Sequence, residues 1–194
     1  GVRIIGEDHK VYNNYFQDLR GSNYRAALCV VRGMLNSALD DYFQVKNAQV
    51  IFNTFVNCTQ SFCINYHSYS KYTMPPIGTV ISHNHVYNTN SNNTNVNLAQ
   101  QHANMDITWK NNLMNQGKYT NFTYNSTQVI TGQNPRMQLV ATPVSIYEPA
   151  SGSDLIHYST DEYDNITSDI RGRMRSISAK LPGASEISGV VSKL

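Results

Sequence analysis

The chain has 194 residues, a net charge of +2 and a hydrophobic content of 40%, which fits one domain with a real core. Charged residues make up only 14%, and Asn, Ser, Thr, Gln and 13 tyrosines fill most polar positions. The weak net charge argues against nucleic-acid binding by the whole domain, and no apolar stretch reaches the ~18 residues of a membrane span.

The first part of the chain predicts an arm followed by a helix. Residues 1–21 form the expected N-terminal arm, with a short strand at VRII. Ser22 or Asn23 can cap an amphipathic helix that ends by Lys46, because apolar residues then recur at steps of three and four. This apolar stripe comprises Ala27, Leu28, Val31, Leu35, Ala38, Leu39 and Tyr42.

After Lys46 the pattern becomes typical of β-structure. AQVIFNTFVN and SFCINYHSY predict an antiparallel hairpin, and further strands are expected at GTVISHNHVYN, DITW, YTNFTYN, QVIT and MQLVATPVSIYEP. The predicted fold class is mainly β (α+β), with one N-terminal amphipathic helix before an antiparallel β-sandwich or jelly roll of about 7–8 strands. The expected boundaries are an arm at 1–21, the main domain at 22–163 and a basic, partly flexible C-terminal tail at 164–194.

The sequence His83-Asn84-His85 is the sharpest candidate for a metal site. On a strand, residues i and i+2 share a face, so both imidazoles would project together and suit a divalent cation. The candidates for a third ligand are His67, Cys63, His102 and Asp106. The alternative is that both histidines simply form hydrogen bonds or face solvent.

The histidine pair resembles the metal ligands of HUH-type replication nucleases, which flank a hydrophobic residue and act with a tyrosine. Here Asn84 stands between the histidines and Tyr66 precedes them, so the pattern departs in both residue type and order. This resemblance implies a metal-dependent nuclease that uses His83 and His85.

Two further kinds of site are expected on the β-domain. Cys58 and Cys63 bracket TQSF and either form a disulfide across a turn or remain two free thiols, while Cys29 belongs to the core. Sequons make Asn92, Asn121 and Asn125 candidate glycosylation sites, although their number is close to chance. The Asn- and Thr-rich tract at 88–97 is expected to be an exposed loop.

The C-terminal tail carries a small cationic cluster. Its members are Arg171, Arg173, Arg175 and Lys180. Such a cluster predicts contact with the phosphate backbone of a nucleic acid, and the alternative is a solvated face.

The low charge, the Tyr- and Asn-rich strands and the missing catalytic motif favour a self-assembling structural protein over an enzyme. In length, composition and strand rhythm the chain resembles the small jelly-roll coat proteins of simple viruses. The resemblance implies a virion or host-cell location and, as partners, copies of the chain, other structural subunits and nucleic acid at the tail. A secreted or surface β-sandwich that binds a ligand, in an extracellular location, is the alternative. No cofactor is predicted apart from a divalent metal at His83 and His85.

Overall fold

The computed structural model describes residues 1–141, 144–155, 163–176 and 180–187, and its main body is a parallel β-helix. The chain visits three parallel sheets in turn, here called sheets I, II and III, and then returns to sheet I. Each circuit is called a coil, and the strands of one coil pair in register with those of the next.

The strands of each sheet lie one above another along the β-helix. Sheet I contains β1 (Val2–Ile4), β4 (Leu28–Val31), β7 (Gln60–Tyr66), β10 (Thr94–Leu98) and β13 (Lys118–Thr120). Sheet II contains β2 (Lys10–Tyr12), β5 (Gln49–Ile51), β8 (Thr79–Ser82) and β11 (Ile107–Lys110). Sheet III contains β3 (Tyr15–Gln17), β6 (Thr54–Val56), β9 (His85–Tyr87), β12 (Asn112–Asn115) and β14 (Val129–Ile130). The predicted strand at VRII is confirmed as β1, and residues 1–21 contain the whole of coil 1.

The predicted antiparallel sandwich or jelly roll is wrong. The two halves of the expected hairpin around CTQS supply β5, β6 and β7, which lie in three different sheets and pair with parallel neighbours. Antiparallel pairing of described strands is confined to β15 (Met137–Val140) and β16 (Ile146–Pro149), which follow the β-helix. Alternating strand patterns specify strands but not the direction in which they pair.

The predicted helix before the strands is also wrong. A 3-10 turn, Asn23–Arg25, and strand β4 occupy its first half. All four residues of β4 are buried, as expected for a parallel strand covered on both faces. In the second half, Leu35 and Leu39 are 63% and 95% exposed, so the apolar period there does not mark a buried helix face.

Aromatic rings fill the middle of the β-helix. Phe16 stacks on Phe55 with ring centroids 4.8 Å apart, and Phe55 contacts Phe62 at 4.6 Å. Phe62 meets Trp109 edge to face at 5.8 Å. Fully burying one such side chain contributes about 1.5–3 kcal/mol, and the stack therefore ties coils 1 to 4 together through their interior.

The corner between sheets II and III is a tight turn that recurs from coil to coil. At this corner Asn13, Phe52, His83 and Asn111 have positive φ values of 55°, 55°, 53° and 51°. This left-handed conformation turns the chain within one or two residues. Asn adopts it more readily than most residues, whereas Phe is strained there and needs support from its surroundings.

An asparagine follows each of these turn residues, and together the four form a ladder. The side-chain amide of Asn14 donates to Oδ1 of Asn53 at 3.0 Å, and that of Asn53 donates to Asn84 at 3.0 Å. Asn84 donates in turn to Oδ1 of Asn112 at 2.9 Å. Asn53, Asn84 and Asn112 are 0% exposed, so each hydrogen bond replaces one to water that folding removed.

The Asn- and Thr-rich tract is not an exposed loop throughout, contrary to the prediction. Its second half, from Thr94, forms β10. Asn88, Asn93 and Asn95 are buried, and their side chains bond to one another, with Asn88 donating to Asn95 at 2.8 Å and Asn93 donating to Asn88 at 3.0 Å. Polar side chains enter the interior here because they satisfy each other.

Removal of one member of the ladder should destabilise the whole β-helix. In Asn84→Ala, the buried backbone N–H of Asn53 loses its acceptor, the side chain of Asn53 loses one of its acceptors, and Oδ1 of Asn112 loses a donor. We expect the free energy of unfolding to fall by about 2–3 kcal/mol in urea denaturation. Asn104→Ala, at an exposed position, is the control and should change it by less than about 0.5 kcal/mol. Equal stability of the two variants would contradict a structural role for the ladder.

Candidate functional site

A cavity of about 100 Å³ lies where sheet I meets the corner between sheets I and II. Long connections form this corner, in contrast to the tight turns between sheets II and III. The lining residues are mainly aromatic or cationic, and none is a carboxylate: Arg3, Tyr24, Val31, Arg32, Tyr42, Tyr66, His67, Ser68 and Tyr72. We call this cavity the arginine–tyrosine pocket.

Arg32 is the buried cation of the pocket, with 6% of its surface exposed. Its Nε donates to Oδ1 of Asn65 at 3.0 Å, and its Nη1 donates to Oε1 of Gln100 at 2.9 Å. Burial lowers the pKa of Arg32 from its usual value, but a guanidinium stays protonated in proteins. The two amides therefore hold a positive charge in a fixed orientation.

His67 shares one of these amide oxygens. Its Nε2 lies 2.9 Å from Oε1 of Gln100, the same atom that accepts from Arg32. Since this oxygen only accepts, Nε2 of His67 is the donor in this contact. Nδ1 is buried and has no hydrogen-bond partner among the described residues.

Arg3 and the tyrosines form the outer part of the pocket. Arg3 donates to the hydroxyl of Tyr42 at 3.0 Å, and its guanidinium lies 5.1 Å from the centre of the Tyr24 ring. Arg25 lies 5.0 Å from the same ring. At the rim, Lys71 is paired with Asp41 at 2.6 Å, so this lysine adds little net charge.

A second cavity, of about 210 Å³, lies at the same corner farther along the β-helix. Trp109 and Phe122 supply its aromatic surface, and Gln101 and Gln128 supply amides. It has no charged lining residue. Of these two cavities, the arginine–tyrosine pocket is the one built to attract an anion.

The structure separates the three histidines of the predicted metal site. His83 is the positive-φ residue of the turn between sheets II and III, whereas His85 is the first residue of β9 in sheet III, so the two histidines do not share a strand face. His83 bonds to Ser82 at 2.6 Å and to Asn111 at 3.1 Å, and His67 lies at the I–II corner. The described residues contain no group of three or more His, Cys, Asp or Glu that could hold a metal ion. The metal site stays a prediction, and this geometry does not favour it.

The cationic cluster of the C-terminal tail is neutralised within the chain. Arg171 and Arg173 both pair with buried Glu148, and Lys180 pairs with Asp164 at 3.2 Å. Arg175 is 3% exposed and pairs with Glu186 at 2.6 Å. The predicted contact with nucleic acid is untested, and these ion pairs count against it. Residues 177–179 and 188–194 of the predicted tail lie outside the described residues.

Part of this tail docks on the II–III corner. Arg175 packs 4.4 Å from the centre of the Phe52 ring and donates to Oδ1 of Asn13 at 2.7 Å. The backbone N–H of Gly183 donates to the carbonyl of His83 at 2.8 Å. These contacts support the strained Phe52 and cover both histidines.

Of the two alternatives for Cys58 and Cys63, the structure shows the two free thiols. All three cysteines are buried free thiols, and Cys63 lies beside Cys29, its register partner in sheet I. Cys58 lies after β6, where its thiol bonds to the carbonyls of Phe16 and Val56 at 3.6 Å. The short sequence separation of Cys58 and Cys63 misleads because the chain passes from sheet III to sheet I between them.

The three candidate glycosylation sites are all exposed. Asn92 accepts from Lys118 at 3.0 Å, and Asn121 donates to the carbonyl of Leu98 at 3.4 Å. Asn125 accepts from the hydroxyl of Thr127 at 2.6 Å. Glycosylation stays a prediction at each of them.

Fold and pocket together define a parallel β-helix protein with a cationic, tyrosine-lined cavity. The model of the family described as Chondroitinase B matches residues 1–158, and the chain belongs to this family. No curated protein matches the chain.

Among the solved structures that resemble the chain are two of the PL6 family alginate lyase AlyGC, one of them a point mutant. Each is 26% identical to the chain, with TM-scores of 0.63 and 0.61. The match covers 76% of this chain and 19% of that chain, so the chain spans about a fifth of the length of that lyase.

These similarities overturn the functional predictions. The viral coat protein, the virion location, the β-sandwich binding module and the HUH-type nuclease are wrong, since the family and the solved structures are those of polysaccharide lyases. For the same reason, the prediction that the protein is not an enzyme is wrong. The coat-protein resemblance rested on composition and strand rhythm, which a β-helix shares with a sandwich.

The sequence interpretation missed every charged residue of the pocket. Arg3 fell in the supposed arm and Arg32 on the solvent face of the supposed helix. One signal was present, because Asn14, Asn53, Asn84 and Asn112 each begin a short apolar segment. Aligning these segments would have placed the connections between sheets I and II on one corner.

The burial of His85 predicts a pH dependence of stability. Burial lowers the pKa of His85 from 6.5 to about 4. Between pH 6.5 and about 4, His85 is protonated in the unfolded chain but neutral in the native chain. The free energy of unfolding therefore falls as the pH drops through this range and levels off below about pH 4. From pH 7 to pH 5 we expect a loss of about 2 kcal/mol from this group in urea denaturation.

His85→Gln should remove this contribution, and His102→Gln, at the partly exposed I–II corner, should leave it in place. The readout is the difference between the pH 7 and pH 5 stabilities of each variant. An unchanged difference in His85→Gln would show that His85 is protonated equally in both states.

Proposed function

We propose that this chain forms part of the polysaccharide-binding surface of a lyase that cleaves acidic polysaccharides of the chondroitin or alginate class. The observation that carries the proposal is the arginine–tyrosine pocket, which combines Arg3 and Arg32 with four tyrosines and no carboxylate. Membership of the Chondroitinase B family and likeness to an alginate lyase support it.

The residues of the pocket match the chemistry of such a polymer. Uronate carboxylates and sulfate groups accept paired hydrogen bonds from guanidinium groups, and Arg32 is oriented for this by Asn65 and Gln100. Tyrosine rings offer flat apolar faces to the C–H groups of a sugar and hydroxyls to its oxygens.

A bound guanidinium also assists elimination itself. A lyase removes the proton next to the uronate carboxylate, and the negative charge that develops there is stabilised by fixed positive charges. Arg3 and Arg32 supply that charge in this proposal, whereas the groups that transfer the protons are not assigned to this chain. The lyase family and a polymeric substrate support an extracellular location for the protein.

Loss of the outer arginine should weaken polymer binding without affecting the fold. In Arg3→Ala we expect roughly fivefold to tenfold weaker binding of chondroitin or alginate oligosaccharides by calorimetry, equivalent to about 1 kcal/mol. Arg32→Gln removes the buried charge and should weaken binding further, because a desolvated charge interacts more strongly. Thermal melts establish that each variant is folded.

Arg20→Ala is the matched control, because Arg20 is 73% exposed and pairs with Asp18, away from the pocket lining. Binding should also weaken as the salt concentration rises. Unchanged affinity in Arg3→Ala and a folded Arg32→Gln would exclude the arginine–tyrosine pocket as the binding site.

A further inference from the structure

Cys29 and Cys63 lie side by side on adjacent strands of sheet I. They are register partners in β4 and β7. Arg3 in β1 pairs with Cys29, and Asn97 in β10 pairs with Cys63, so these four residues form one row across sheet I. The neighbouring residues Leu28 and Val30 pair with Phe62 and Ile64. Since Phe62 points into the aromatic stack of the interior, Cys29 and Cys63 both point to the outer face of sheet I.

The two thiols are buried side by side near aromatic side chains. Both cysteines are 0% exposed, and their side chains point the same way from adjacent strands. Tyr24 and Tyr66 approach each other at 5.9 Å over this part of the face. The interaction of the two thiols lowers the pKa of Cys63, whereas the same interaction and burial raise the pKa of Cys29.

The positions of the two strands suit a covalent bond. Neighbouring strands of a sheet lie about 4.7–4.9 Å apart, which falls within the roughly 4.4–6.8 Å that separate the Cα atoms of disulfide-bonded cysteines. Register partners face each other directly, so the sulfur atoms can meet without a shift of either strand along its axis.

We propose that Cys29 and Cys63 are the site of a disulfide bond that joins coil 2 to coil 3. The Cys63 thiolate attacks the disulfide of a small-molecule or protein oxidant, forms a mixed disulfide and releases one thiolate. The Cys29 thiolate then attacks the Cys63 sulfur and releases the second. The two protons lost from the cysteines pass to the released thiolates, and the oxidant gains the two electrons.

The bond forms while β4 and β7 are paired and before Tyr24 and Tyr66 close over the thiols. Local opening of this cover later gives the same access to an oxidant. An extracellular location would supply the oxidising conditions, but the site itself follows from the strand pairing and does not depend on the proposed function.

Cys58 provides an internal comparison for the proposed pair. It is equally buried, but it lies after β6 and bonds to the backbone carbonyls of Phe16 and Val56. Burial raises the pKa of Cys58, and no cysteine is its partner. Nonspecific oxidation would involve Cys58 as readily as Cys29 and Cys63. A bond found only between Cys29 and Cys63 would therefore reflect their pairing in sheet I.

The test is to fold the whole chain in a glutathione redox buffer and, in parallel, in reductant. The oxidised protein should be two hydrogens lighter and monomeric, with one alkylatable thiol after denaturation. Trypsin leaves Cys29 in residues 26–32 but both other cysteines in residues 47–71. Because the second fragment contains two cysteines, the bond is mapped with single variants. The disulfide-linked pair of fragments 26–32 and 47–71 should persist in Cys58→Ser. It should be absent from Cys29→Ser and Cys63→Ser.

The oxidised chain should also melt about 5–10 °C higher than the reduced chain, because the bond closes a long loop in the unfolded state. Cys58→Ser should keep this difference and Cys63→Ser should lose it. Three free thiols in the folded protein from the redox buffer, a bond to Cys58 or bonds between chains would each overturn the proposal. So would a chain that folds only in reductant.

Discussion

The side-chain amides of Asn14, Asn53, Asn84 and Asn112 set the register on which the rest of the β-helix depends. Each amide that is withdrawn from water must find a partner, and the partner is the equivalent amide of the next coil. A slip of one residue at this corner would leave a buried amide unpaired and would turn every side chain of the next strand to the other face. The rows of sheet I, from Arg3 through Cys29 to Cys63, therefore line up because the opposite corner is fixed.

The strands could be predicted from the sequence more readily than their arrangement. VRII, DITW and QVIT contain β1, most of β11 and β14, since β-branched residues mark strands wherever these pair. The parallel topology could not be predicted because successive ladder asparagines are 39, 31 and 28 residues apart, and this unequal spacing hides the repeat. The segment GTVISHNHVYN was predicted as one strand but forms two, β8 and β9. Nothing in its composition shows that the chain turns at His83.

The candidate site was less predictable than the fold. Histidines close in sequence suggested a metal site, yet His83 serves the corner and His85 is packed under the C-terminal segment. The pocket instead joins Arg3 from coil 1, Arg32 from coil 2 and His67 from coil 3. No local pattern could unite them, because their proximity comes from the stacking of coils and not from spacing along the chain.

The two kinds of corner differ in how far their length and sequence can change. The tight II–III corner tolerates little change, whereas the I–II corner tolerates much more. Between sheets II and III the turn is one or two residues long in coils 1 to 4, whereas the connections between sheets I and II range from residues 5–9 to residues 32–48. A longer connection adds little closure entropy and leaves the strand register untouched. Insertions and substitutions at the I–II corner can therefore change the shape and charge of the arginine–tyrosine pocket without disturbing the scaffold, and loops from related proteins could be transplanted there.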